Sequence, residues 1–130
     1  MAINILVVDD SAVMRAMVIK TLKLAGTPLG EIYQAANGRE GLDVLGSHWV
    51  DLVFADINMP VMNGEEMIDK IRDDPAWKEL PIVVISTEGS ETRIESLHNK
   101  GAEFVHKPFT PEIIRNVLET MLGIDHGQHA

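Results

Sequence analysis

Residues 5–11 read Ile5-Leu6-Val7-Val8-Asp9-Asp10-Ser11, four apolar side chains running straight into two adjacent aspartates. Extended back to Ile3, the apolar part is nearly continuous rather than alternating, as in a parallel strand covered on both faces. The same signature recurs in Asp51-Leu52-Val53-Phe54-Ala55 and in Pro81-Ile82-Val83-Val84-Ile85. Strands are therefore predicted over 3–8, 32–35, 52–55, 82–85 and 104–106. Two like charges at a strand end repel each other, and the pattern asks for a neighbour that relieves them.

Helical periodicity fills the gaps. Residues 12–25 place Met14, Met17, Val18, Thr21, Leu22 and Ala25 on one face. Asn37 with Glu40, and Asn63 with Glu66, have capping-box spacing. Thr110-Pro111-Glu112 opens a last helix with a cap, a proline and an acid, followed by a buried stripe of Ile113, Ile114, Val117, Leu118 and Met121. Gly26, Gly46 and Gly101 stand where helices should stop. Five strand–helix repeats with right-handed crossovers predict an α/β fold, a doubly wound five-stranded parallel sheet. The domain is expected over 1–122, with 123–130 a polar tail.

Composition narrows the function. One domain accounts for 130 residues, and 45% hydrophobic content excludes wholesale disorder. A net charge of −9 and a pI near 4.9 favour divalent cations or basic partner surfaces over nucleic acid or an anionic membrane. With no cysteine, disulfides and thiolate chemistry are excluded. The N-terminus lacks a signal-peptide pattern and no apolar run approaches ~20 residues, so a cytoplasmic protein is expected.

Ligands of open parallel sheets bind beyond the carboxyl ends of the strands. The residues there are Asp9 and Asp10 after the first strand, Asp56 after the third, Ser86, Thr87 and Glu88 after the fourth, and Lys107 before Pro108 after the fifth. Three converging carboxylates suit a hard divalent cation, Mg²⁺ best, with positions left for phosphate oxygens. A lysine ammonium and a serine hydroxyl beside them equip the site for phosphoryl transfer, with Asp56 as nucleophile and Asp9 and Asp10 holding the metal.

At these positions the sequence resembles the receiver domains of two-component response regulators. The motifs are Val7-Val8-Asp9-Asp10-Ser11, 54–64 (FADINMPVMNG), 84–88 (VISTE) and Val105-His106-Lys107-Pro108-Phe109. The likeness spans about residues 3–122 and is strongest to the stand-alone chemotaxis regulators of the family. It implies the strand order 2-1-3-4-5 and Asp56 as phosphoacceptor. It further implies Asp9, Asp10, Asp56 and the Asn58 backbone carbonyl around Mg²⁺, Ser86 as switch hydroxyl, and Lys107 with a cis bond to Pro108. Phe104 matches the aromatic that turns inward on activation, and Asn58 and Glu88 the positions that tune acyl-phosphate lifetime. The implied partners are a sensor histidine kinase or phosphotransfer protein and a downstream target, the flagellar motor switch or another. That target is met on the face of the fourth helix, fifth strand and fifth helix, by a monomer. The family is a signalling switch that promotes its own phosphorylation and dephosphorylation rather than a metabolic enzyme.

Other readings fit less well. A Mg²⁺-dependent phosphohydrolase with an aspartyl-phosphate intermediate often carries D-x-D after the first strand, where this chain has D-D-S. A nucleotide or flavin module needs a Gly- or Ser/Thr-rich phosphate loop there. A stand-alone receiver outside chemotaxis remains an alternative pathway. His126 and His129 have metal-compatible spacing in the tail, but a terminal pair of this kind is usually idle. His106 reads as a surface residue, and His48 and His98 have no evident partner. The acids Glu65, Glu66, Asp69, Asp73 and Asp74 read as the solvated face of the third helix. Helix 90–100 reads as weakly anchored by Ile94 and Leu97.

Overall fold

The computed structural model describes residues 2–123. Its parallel strands are β1 (Ile3–Val8), β2 (Leu29–Ala35), β3 (Leu52–Ala55), β4 (Ile82–Ser86) and β5 (Ala102–His106), in the spatial order β2-β1-β3-β4-β5. The helices are α1 (Ala12–Leu24), α2 (Gly38–Ser47), α3 (Gly64–Asp73), α4 (Glu91–Asn99) and α5 (Pro111–Leu122), with a short 3-10 turn at Pro75–Trp77. This is the doubly wound α/β fold expected from the sequence, with the strand order that the family resemblance implies.

Strand pleat divides the core into two layers, because successive side chains point to opposite faces. Leu6, Val8, Val53, Ala55 and Val84 pack with Leu45, Met67, Ile68, Ile71 and Leu97 beneath α2, α3 and α4. Ile5, Val7, Phe54, Val83 and Ile85 pack with Val18, Leu22, Ile114 and Leu118 beneath α1 and α5. That double coverage is why the central strands read as unbroken apolar runs. β1, β3 and β4 are the inner strands, so their carboxyl ends lie side by side.

The edge strands exceed the prediction. β2 begins at Leu29 rather than 32, and β5 at Ala102 rather than 104. Gly30 and Glu31 extend β2 at an exposed register shift between the Leu29 and Ile32 pairings, without an apolar signal. The Glu31 N–H even donates to the Asn4 side chain at 2.9 Å, where the β1–β2 register slips.

Four local readings are corrected. Met17 and Ile113 are 52% and 42% exposed, because α1 and α5 bury narrower stripes than predicted, centred on Val18 and Leu22 and on Ile114 and Leu118. α2 continues through Gly46 to Ser47, whereas α1 and α4 do give way to glycines in the left-handed region, Gly26 and Gly101, each at φ 79°. The capping box is complete at Asn63–Glu66. At Asn37 only half of it forms, because the Glu40 carboxylate accepts from Ala36 instead. His48 stacks on Tyr33 with ring centroids 4.4 Å apart, and His98 lies 3.8 Å from Glu103. The tail histidines His126 and His129 lie outside the described residues.

Candidate phosphoryl-transfer site

Backbone pairing at the strand ends builds the site. The Asp9 N–H donates to the Ala35 carbonyl, the Asp56 N–H to the Val8 carbonyl and the Lys107 N–H to the Ser86 carbonyl. Each functional side chain is thus anchored within one residue of a sheet hydrogen bond. The β3–α3 loop is pinned by Gly64, whose N–H donates to the Ile57 carbonyl at 2.8 Å. A Cβ at Gly64 would collide with the Asp56 carbonyl oxygen, so α3 can start this close to β3 only with glycine there.

The expected convergence is present. One carboxylate oxygen each from Asp9, Asp10 and Asp56 lies within 4.8 Å of the others, and among the described residues this is the group suited to a metal ion. The Lys107 ammonium stands 3.4 Å from Asp56 Oδ2 and 3.8 Å from Asp9 Oδ2. Asp56 Oδ1 accepts the N–H of Ile57 at 2.7 Å, which fixes the plane of its carboxylate. Asp9 is buried and accepts the Ser11 N–H at 2.9 Å, whereas Asp10 is exposed.

Electrostatics follow from that burial. Desolvation raises the Asp9 pKa above its ordinary value, and the charges of Asp56 and Asp10 add to the rise; the Ser11 N–H and Lys107 oppose it without cancelling it. One ammonium therefore does not neutralise the cluster. Three oxygen donors with an uncompensated negative charge fit a hard divalent cation of the magnesium type.

The remaining predicted residues lie on β4, on β5 and in the neighbouring loops. Ser86 is buried, and its Oγ accepts the Glu88 N–H at 3.1 Å. Phe104 is half-buried, edge-on to the exposed His106 with centroids 4.7 Å apart. Asn58 is exposed in the β3–α3 loop, and the Lys107–Pro108 bond is cis. The Glu88 carboxylate is held by Arg93 at 3.2 Å.

Sequence reasoning missed Arg93 and Arg15. Arg15 Nη1 donates to the Asp9 carbonyl at 2.5 Å and its Nε to Gln34, which stiffens the strand end that carries the acids. The acids of α3 are also not simply solvated. Glu65 pairs with Arg93 at 3.2 Å and Asp69 with Lys100 at 2.8 Å. No spacing rule links residues on different helices, so neither pair had a signal.

The family model described as the response regulator receiver domain matches residues 5–119. The chain belongs to this receiver domain family. The receiver is 34% identical over 129 residues to a chemotaxis protein CheY homolog of Campylobacter jejuni, covering 98% of each chain. Among solved structures it resembles CheY4 of Vibrio cholerae, with a TM-score of 0.82, 36% identity and coverage of 94% of this chain and 100% of that one. It also resembles a CheX–CheY–BeF3–Mg complex from Borrelia burgdorferi, with a TM-score of 0.82, 26% identity and coverage of 91% and 87%. The receiver is thus a two-component signalling domain of the CheY type. Among its described residues no helix is long and apolar enough to cross a membrane.

Proposed function

We propose that this receiver is a phosphorylation-driven switch in chemotaxis signalling, with Asp56 as the phosphoacceptor. The observation that carries the reading is the meeting of Asp9, Asp10 and Asp56 with the Lys107 ammonium at one edge of the sheet. An Asp56 carboxylate oxygen attacks phosphorus of a kinase phosphohistidine. The P–O bond forms, the P–N bond breaks, and the imidazole leaves and takes up a proton. Ile57 N–H holds the carboxylate in place for this attack. Lys107 moves from its carboxylate partners to a phosphoryl oxygen, a shift its flexible stem permits. Ser86 turns its hydroxyl toward another phosphoryl oxygen.

Asp9, Asp10, Asp56 and the Asn58 carbonyl would hold magnesium, which when bound supplies positive charge to the phosphoryl oxygens. Asn58 and Glu88 tune the lifetime of the acyl phosphate. Movement of Ser86 and its loop draws Phe104 inward and changes what the α4-β5-α5 face binds, a two-state element biased by a local charge event. The kinase or phosphotransfer donor and a motor-switch-type target are proposed by analogy with the CheY relatives. So are a cytoplasmic location, monomeric state and a receiver unit of 1–122.

The test is intact mass after incubation with acetyl phosphate, with and without Mg²⁺, beside an Asp56→Asn variant. The expected outcome is a Mg²⁺-dependent gain of one phosphoryl group in the parent protein and none in the variant. A gain that survives in Asp56→Asn would place the chemistry elsewhere.

A further inference from the structure

Arg93, on the first turn of α4, reaches two carboxylates on two other segments. Its Nη1 lies 3.2 Å from Glu88 Oε1 in the β4–α4 loop, and its Nη2 lies 3.2 Å from Glu65 Oε1 in the first turn of α3. Each acid leads back along the chain to a different segment of the candidate site. Glu88 is two residues after Ser86, and its own N–H donates to the Ser86 Oγ. Glu65 follows Gly64, which is bonded to the Ile57 carbonyl beside Asp56. One guanidinium therefore ties the loop that carries the switch hydroxyl to the loop that carries the phosphoacceptor. The backbone of Arg93 is fixed as well, because its N–H donates to the Ser90 side chain that caps α4.

Exposed ion pairs contribute little to stability, and Arg93 and Glu88 are 35% and 58% exposed. What this arrangement controls is where a charge sits. Glu88 is the acid nearest Ser86 along the chain, and its carboxylate is held by the same guanidinium that holds Glu65 of α3. We infer that Arg93 is a positioning residue that lengthens the life of the acyl phosphate by holding Glu88 and neutralising both it and Glu65. The inference rests on the phosphoacceptor reading of Asp56.

Hydrolysis of the acyl phosphate requires water to attack phosphorus as the P–O bond to Asp56 breaks. The carboxylate is regenerated, inorganic phosphate leaves, and the proton of the attacking water passes to a base and then to solvent. A released Glu88 carboxylate, two residues from Ser86, would be such a base. Two unneutralised acids on these segments would also repel an incoming anionic phosphodonor. Both effects lower the phosphorylated fraction.

The experiment follows loss of the phosphoryl group by mass after acetyl phosphate and Mg²⁺ are removed by rapid desalting. The proteins are wild type, Arg93→Ala, Arg93→Lys, Glu88→Gln and the double variant Arg93→Ala/Glu88→Gln. Arg93→Ala is expected to dephosphorylate about two- to fivefold faster, the scale set by exposed ion pairs. Arg93→Lys, a point charge without the fork, should recover part of the lifetime. In the Glu88→Gln background Arg93→Ala should give no acceleration relative to Glu88→Gln alone, which loss of packing would not explain. Lifetimes equal in wild type and Arg93→Ala, or an acceleration that persists in the double variant relative to Glu88→Gln, overturn the inference while leaving the phosphoacceptor intact. Failure of the wild type to gain a phosphoryl group at all overturns both readings.

Discussion

Asp9 carries the electrostatic tension of the site. Its carboxyl is buried beside two other acids, and its pKa is raised above the ordinary 3.8, chiefly by desolvation. The folded protein thus binds this proton more tightly than the unfolded chain does. Through this group, stability falls as pH climbs from 3.8 through the folded value, and the penalty is complete above it. Asp9→Asn keeps an oxygen for the Ser11 N–H but removes the charge. In EDTA at neutral pH its urea midpoint should lie above that of wild type, and the gap should close as pH is lowered through that window. A gap that does not change with pH would assign the effect to something other than Asp9 ionisation. Added Mg²⁺ should stabilise wild type more than the variant, because the variant has lost one of the three charges of the cluster.

At the scale of elements, the β4–α4 loop and α4 are the part held least by the core. Leu97 is the one buried side chain of α4, and Ile94 is only half-buried. The rest of its attachment is polar. Arg93–Glu65 ties it to α3 near one end and Lys100–Asp69 near the other. Arg72 adds hydrogen bonds to the Lys100 and Gly101 carbonyls, and burial lowers its pKa. An element with few apolar anchors is suited to shift at small cost. Gly89 gives the loop its contact with Phe104. A Cβ there would lie 2.6 Å from Phe104 Cζ and 2.9 Å from Cε1, so the ring would have to move. Gly89→Ala should therefore change the Phe104 ring-proton shifts in NMR spectra and destabilise by about 1–3 kcal/mol at most. Unchanged ring shifts would mean that loop and aromatic are not coupled by contact.

For the whole molecule, stability resides in the two layers on either side of the sheet. Phe54 is fully buried under α1 and α5, and Phe54→Ala should cost about 3–5 kcal/mol in urea unfolding. Val13→Ala, on a residue 72% exposed, should stay within about 0.5 kcal/mol. A comparable loss at both positions would contradict the layered core. The apolar runs, the caps at Asn63 and Thr110, and the acids and lysine at the strand ends were all legible, because periodicity and capping are local properties of a chain. That locality determined the α/β class and, with the rule for sheet edges, which side chains could meet. Edge-strand lengths were not legible, since Gly30 and Glu31 lie exposed at a register shift between the Leu29 and Ile32 pairings. The stripes of α1 and α5 were read too wide, since spacing does not say how closely a helix lies on its sheet. Tertiary structure alone decided the 3.4 Å approach of Lys107 to Asp56, the desolvation of Asp9 and the two-handed grip of Arg93. Apart from Arg93 and Glu88, five residues apart, these features join groups distant in the chain, fixed only when all five strands and their helices close together.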